Sequence, residues 1–235
     1  MKKMDVDDLN LKLATYNMRK AIGLDRRRDP HRILDVINRL NADVVVLQEA
    51  DRRLGARPSA LPRRMLEDET DFVPVPFASN GVSLGSHGNA ILVRKGLTFH
   101  RAEQLELPGL EPRGAVSVEI ANRLKLVGTH LGLLRPYRHQ QMRELARQLA
   151  ITPLPTMIMG DFNEWSPKRG FEPLEHNFNI ISPGRSFHAS RPIAGLDRLA
   201  LSDGVELRDA GVDQSPLAKV ASDHLPVWAQ VRVKD

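Results

Sequence analysis

The chain has 235 residues, 41% hydrophobic and 27% charged, enough apolar material for one large domain or two small ones. Its 34 Lys and Arg outnumber 29 Asp and Glu, and the resulting charge of +5 suits an anionic partner without identifying one. There is no cysteine, which excludes disulfides, zinc–thiolate centres and thiol nucleophiles.

Residues 1–10 carry two lysines with no apolar stretch behind them and are expected to form a flexible tail. No secretory signal is visible and no run approaches membrane-spanning length, so a cytoplasmic location and no integral membrane segment are expected. Leu11 to Asn17 alternates as a strand and ends on Asn17. Asp29-Pro30 then reads as a helix start, and Ile33, Leu34, Ile37 and Leu40 give that helix one apolar face. Asp43 to Glu49 is a β-branched run, a buried strand ending on Glu49. Asp51 to Asn80 reads as a loop with a short helix near Leu61 to Glu67, followed by a strand over Gly88 to Arg94. Gly114 to Ile120 and Leu124 to His130 form a hairpin around Ala121-Asn122-Arg123. Arg138 to Ala150 is helical, with Met142, Leu145, Ala146 and Leu149 on one face. Thr156 to Met159 leads as a strand into Asp161, Leu196 to Ser202 is a short strand carrying Asp197, and apolar Leu225 to Ala229 follows Asp223-His224. Trp165 to Ile193 shows only weak periodicity. With no linker or internal repeat, a single domain of mixed α/β type over 1–235 is expected.

Strands therefore end repeatedly on polar groups: Asn17, Glu49, His130, Asp161 with Asn163, and Asp223 with His224. Carboxylates, amides and imidazoles at the rim of a sheet suit a hard divalent cation and phosphate chemistry. The runs Thr15-Tyr16-Asn17, Leu47-Gln48-Glu49, Gly128-Thr129-His130-Leu131, Gly160-Asp161-Phe162-Asn163 and Ser222-Asp223-His224 resemble, in order and over nearly the whole chain, the endonuclease/exonuclease/phosphatase superfamily, the DNase I-like proteins.

That resemblance implies a four-layer α/β sandwich: two mostly antiparallel sheets packed face to face, helices outside, the site at one edge. It implies hydrolysis of a phosphodiester or phosphomonoester by in-line attack of water, with Mg²⁺ or Mn²⁺ held by Glu49, Asn17 and Asp223. Asp161 would orient or deprotonate the water, and Asn163 would hold that water or a phosphoryl oxygen. His224 and His130 would face the phosphate as protonated imidazoles, with His224 as general base the alternative and Asp197 as its orienter. Where the family often has Asp-His or Asp-Tyr, this chain has Asp197-Arg198. Asn89, Arg113 and Lys20 are further phosphate-binding candidates, with plain surface placement the alternative for Arg113 and Lys20. The clusters Arg26-Arg27-Arg28, Arg52-Arg53 and Arg63-Arg64 either line the approach or form a solvated rim, and six histidines, including His87 and His188, read as ordinary polar residues. The expected partner is an anionic phosphoester: a nucleic acid cut by an endonuclease or exonuclease, a phospholipid headgroup, or a small phosphate ester. Two Trp and two Tyr offer no obvious base-stacking platform. A catalytically silent binding protein on the same fold is the rival class.

Overall fold

The computed structural model describes residues 8–78, 80–111 and 113–234. Among these residues twelve strands form two six-stranded sheets. In the first, β1 (Leu9–Asn17) lies beside β2 (Val44–Gln48), flanked by β12 (Val227–Val233) and β11 (Val205–Val212) on one side and by β4 (Ala90–Arg94) and β3 (Phe72–Pro74) on the other. In the second, β7 (Leu124–His130) lies beside β8 (Thr156–Asp161), flanked by β6 (Gly114–Ile120) and β5 (Phe99–Glu106), and by β10 (Asp197–Leu201) and β9 (Asn179–Ile181). Each sheet has one parallel pair at its centre, β1 with β2 and β7 with β8, and antiparallel pairs elsewhere.

A parallel pair needs a crossover, and each has a helix. α1 (Pro30–Leu40) joins β1 to β2, and α3 (Arg135–Leu149) joins β7 to β8. Asp29 caps α1 by accepting the Arg32 N–H at 3.1 Å, Pro30 supplies a preset φ, and Asn41 ends the helix in the left-handed region. Two short helices, α2 (Arg63–Glu69) and α4 (Ala218–Ala221), and a 3-10 turn at Arg19–Ala21 complete the regular structure among the described residues.

Side chains that alternate along a strand build the layers. Val44 and Val46 join Met157, Met159 and Leu199 in the core between the sheets, while Val45 and Leu47 face out and pack on Ile33, Leu34 and Ile37 of α1. On the far side, Ile158 and Val127 pack on Met142 and Leu145 of α3. This gives helix, sheet, sheet, helix: the expected four-layer sandwich. A Cβ built on Gly128 would lie 2.5 Å from Val46 Cγ1, so the sheets approach closely where β7 faces β2.

Several boundaries shift. Leu9 and Asn10, expected in the tail, are paired with Val233 and Arg232, and the rest of the tail before Asp8 lies outside the described residues. The short helix expected near Leu61–Glu67 starts at Arg63, and α3 starts at Arg135 with Pro136 in its first turn. β3, β5, β9 and β11 were not predicted, and all four are the outermost strands of their sheets. Among the described residues no helix is long and apolar enough to cross a membrane.

Candidate active site

The carboxyl ends of the two parallel pairs meet at one rim. Asn17 stands opposite Gln48 across β1 and β2, and Asp161 stands opposite both His130 and Asp197 across β7, β8 and β10. A hydrogen bond from Asn17 Nδ2 to Asp161 Oδ2, 3.0 Å long and buried, ties one sheet to the other.

The other residues of each motif hold the polar ones in place. Buried Thr15 Oγ1 and the Gln48 amide bond at 3.0 and 3.2 Å, which fixes the register that brings Asn17 and Glu49 to the same rim. Gly160 has φ +150°, and a Cβ there would lie 1.9 Å from the Thr129 carbonyl oxygen, so only glycine fits before Asp161. Phe162 is buried in the outer core beneath α3. Asn163 then turns the chain at φ 51°, a region Asn tolerates; its N–H donates to Asp161 Oδ1 at 2.9 Å and its Nδ2 to the Leu131 carbonyl at 2.9 Å. Ser222 Oγ donates to the Asn17 carbonyl at 2.7 Å and accepts the His224 N–H at 3.3 Å, docking the last loop onto β1.

Asp161 is the hub. Its Oδ2 lies 3.3 Å from His130 Nε2 and 3.6 Å from His224 Nε2. His224 Nδ1 is 2.9 Å from Asp197 Oδ2, which also accepts from Ser186 Oγ. Burial raises the Asp161 carboxyl above the usual carboxylate range, partly countered by His224. Burial disfavours a charged His224, but Asp197 and Asp161 outweigh it and push the imidazole up to about 9. At neutral pH His224 is an imidazolium between two carboxylates.

His130 differs from the expectation of a second protonated imidazole. Burial and then the Arg113 guanidinium hold it well below the ordinary histidine range, so it is neutral. Arg113 Nη1 lies 2.8 Å from Nδ1 and 2.9 Å from Nε2. A guanidinium only donates, so Nδ1 accepting from Arg113 leaves Nε2–H for Asp161. The cation at this corner is Arg113, itself anchored by Glu111 at 2.8 Å.

Glu49 follows β2 with φ 53° and forms a direct ion pair with Lys20; its Oε1 reaches Arg53 Nη2 only at 4.0 Å. Asp223 Oδ2 is 3.4 Å from Arg19 Nε, and Asn17 Oδ1 accepts the Arg19 N–H at 3.2 Å. Glu49, Asn17 and Asp223 are oxygen donors of the kind a hard divalent cation takes, and the two carboxylates are paired with Lys20 and Arg19. Ligand atoms of Asp161, Asp197 and His224 also lie within 4.8 Å of one another and could hold an ion. Both imidazole nitrogens of His224 already face carboxylates, so an ion bound to either one would replace the proton that nitrogen carries.

Asn89 is buried beside the site: its Nδ2 donates to the Gly114 carbonyl at 2.8 Å, and no bond is made to Asp161 or the imidazoles. Arg198 donates to the Glu164 and Ser166 carbonyls and lies over Phe171, bracing the loop after Asn163. Of the basic clusters, Arg53 lines a cavity of about 370 Å³ with Lys20, Glu49, Arg57, Arg113 and His130. Arg63 is spent on the Ser83 carbonyl, and exposed Arg64 pairs with Asp68. Sequence reasoning missed Ser186, which donates to Asp197, and also Arg57 and His87, which line that cavity; only the fold brings them here. A larger groove of about 1340 Å³, lined by Pro155, Phe178 and Ser202, lies at the opposite ends of β8 and β10 and holds none of these residues.

The model of the Endonuclease/Exonuclease/phosphatase family matches residues 14–224. The chain belongs to that family. Its members are generally hydrolases of phosphoester bonds. The uncharacterized protein YbhP of Escherichia coli (strain K12) is 26% identical over 253 residues, covering 95% of this chain and 97% of its own. A conserved protein of Enterococcus faecalis V583 shares the fold at TM-score 0.73 and 18% identity, covering 95% of this chain and all (100%) of its own. The human Nocturnin catalytic domain with bound sulfate matches at TM-score 0.70 and 18% identity, covering 97% of each chain. D. rerio TDP2 complexed with single strand DNA product matches at TM-score 0.70 and 16% identity, covering 95% of this chain and 99% of its own.

Proposed function

We propose that this family member hydrolyses a phosphoester with a divalent metal, by in-line attack of water. The observation that carries the reading is the cross-sheet carboxylate: Asp161 held by Asn17 and the Asn163 N–H, with His130 and His224 against it and Asp197 behind His224.

Asp161 Oδ1 accepts the Asn163 N–H and keeps a lone pair for the attacking water. A carboxyl raised by burial is a better proton acceptor near neutrality than an ordinary one. Asn163 Oδ1 orients the water. His224, charged and fixed by Asp197 through Nδ1, keeps an Nε2–H that is 3.6 Å from Asp161, too far for a hydrogen bond, and donates it to a phosphoryl oxygen as negative charge develops; Arg113 adds a second cation at the His130 corner. Glu49, Asn17 and Asp223 would hold Mg²⁺ or Mn²⁺, which when bound neutralises phosphate charge. His224 serves here as the charged donor rather than the general base, because two carboxylates keep its proton on.

Hydrolysis of bis(p-nitrophenyl) phosphate with Mg²⁺ or Mn²⁺ tests the reading. Glu49→Ala and His224→Ala are each expected to lower kcat at least about 100-fold. Unchanged turnover in both defeats it. Cleavage of nucleic acid is the second reading, favoured by the net charge of +5 and by the likeness to TDP2, whose structure holds a single strand DNA product.

A further inference from the structure

We propose that the cavity beside His130 binds a second phosphoryl group of the substrate, making the enzyme selective for phosphoesters that carry an additional phosphate close to the scissile bond. This rests on the phosphoester-hydrolase reading above.

Two loops build the wall. In one, Arg57 sits at φ 53°, a left-handed conformation that a non-glycine residue adopts only at a cost. It is held there by its own N–H to the Leu54 carbonyl at 3.2 Å and by Ser83 Oγ donating to its carbonyl at 2.7 Å. In the other, His87 and Gly88 both have positive φ, and the flanking Ser86 and Asn89 exchange backbone bonds of 2.9 and 2.8 Å, as in a type I′ turn. Arg57 Nη1 meets His87 Nδ1 at 3.3 Å, and Asp51 clamps the loops together by accepting the Leu84 N–H at 2.6 Å and the Gly85 N–H at 3.3 Å. The wall is therefore preformed. Backbone strain concentrates where a structure is shaped for a task.

The charges on this wall are not balanced. Asp51 is occupied by backbone donors, Glu111 by Arg113, and Glu49 by Lys20. Arg57 meets His87 and feels Asp51 without a direct ion pair to it, and Arg53 approaches Glu49 only at 4.0 Å. Guanidinium forks match phosphate geometry, and the lining has no Phe, Tyr or Trp on which a base would stack. A volume of about 370 Å³ is at the small end for a ligand site and admits a phosphoryl-bearing fragment, not a duplex.

The test uses two substrate pairs with Mn²⁺: thymidine 5′-(p-nitrophenyl phosphate) with and without a 3′-phosphate, and the p-nitrophenyl phosphodiester of glycerol with and without a terminal phosphate. The wild-type enzyme is expected to prefer the extra phosphate at least tenfold in kcat/KM, and Arg57→Gln to reduce that ratio to near one. Preference in both pairs assigns the site to phosphate alone; preference only in the thymidine pair assigns it to a nucleotide end. A wild-type ratio near one, or a ratio untouched in both Arg57→Gln and Arg53→Gln, overturns the proposal. If no ester is hydrolysed, the phosphoester-hydrolase reading fails instead. Inorganic phosphate titrated calorimetrically into metal-free protein then decides on the cavity: binding weakened at least fivefold in Arg57→Gln supports it, while equal or no binding overturns it.

Discussion

Asp197 does not face the candidate phosphate position, yet it sets the charge state of His224 through a 2.9 Å contact. Asp197→Asn keeps the shape and removes the charge, so kcat is expected to fall by about 10²–10⁴, as when an orienting acid is lost from a triad. The pH profile separates this role from a structural one. On the proposed mechanism, activity needs Asp161 ionised and His224 protonated. It should rise with pH through the burial-raised titration of Asp161, above the ordinary carboxylate range, and fall again as pH passes about 9, where His224 loses its proton. In Asp197→Asn the alkaline limb should move to lower pH; an unmoved limb would assign it to another group. The acids and amides of the rim were legible because each stands at the end of an apolar strand in a short, ordered motif. Arg57, His87 and Ser186 were not, because they lie in irregular loops with no periodicity and meet the site only through tertiary contacts. The neutral state of His130 was equally hidden, since it depends first on burial and then on Arg113, which stands just before another strand.

At the scale of elements, the loop after Asn163 is braced by Glu164, whose carboxylate meets Arg138 of α3 at 2.8 Å with both side chains under 10% exposed. Arg138→Ala leaves that acid buried and unpaired, and a loss of about 3–5 kcal/mol is expected in urea unfolding. Replacing both partners with leucine should cost much less. Gly160→Ala drives a Cβ into the Thr129 carbonyl, and a destabilisation of about 1–3 kcal/mol or more is expected, together with lost activity as Asp161 leaves its register with His130. Central strands were legible because burial on both faces demands continuous apolar runs, as in Val44–Leu47. Edge strands escape that demand. β5 exposes His100, Arg101, Glu103 and Gln104, and β11 exposes Arg208 and Asp209 with a bulge between Leu207 and Asp209. Charge and irregularity suit an edge that must not recruit another chain, and they erase the alternation by which a strand is recognised.

At the scale of the molecule, the site exists only where both sheets are assembled, and a ligand held there should stabilise the whole. Mn²⁺ at 100 times its Kd is expected to add about 2.7 kcal/mol to the unfolding free energy, and Glu49→Ala should abolish the associated rise in Tm while leaving the metal-free protein folded. No shift in the wild type would remove Glu49 from the role of ligand. The pairing of β12 with β1 joins Leu9 to Val233. Contacts so distant in sequence close slowly. A growing polypeptide carries Asn17 and Glu49 out of the ribosome long before the strand that borders β1 has been translated. Asp223 and His224, which complete the rim, lie just before β12 in sequence, so the rim cannot assemble until that segment has joined β1.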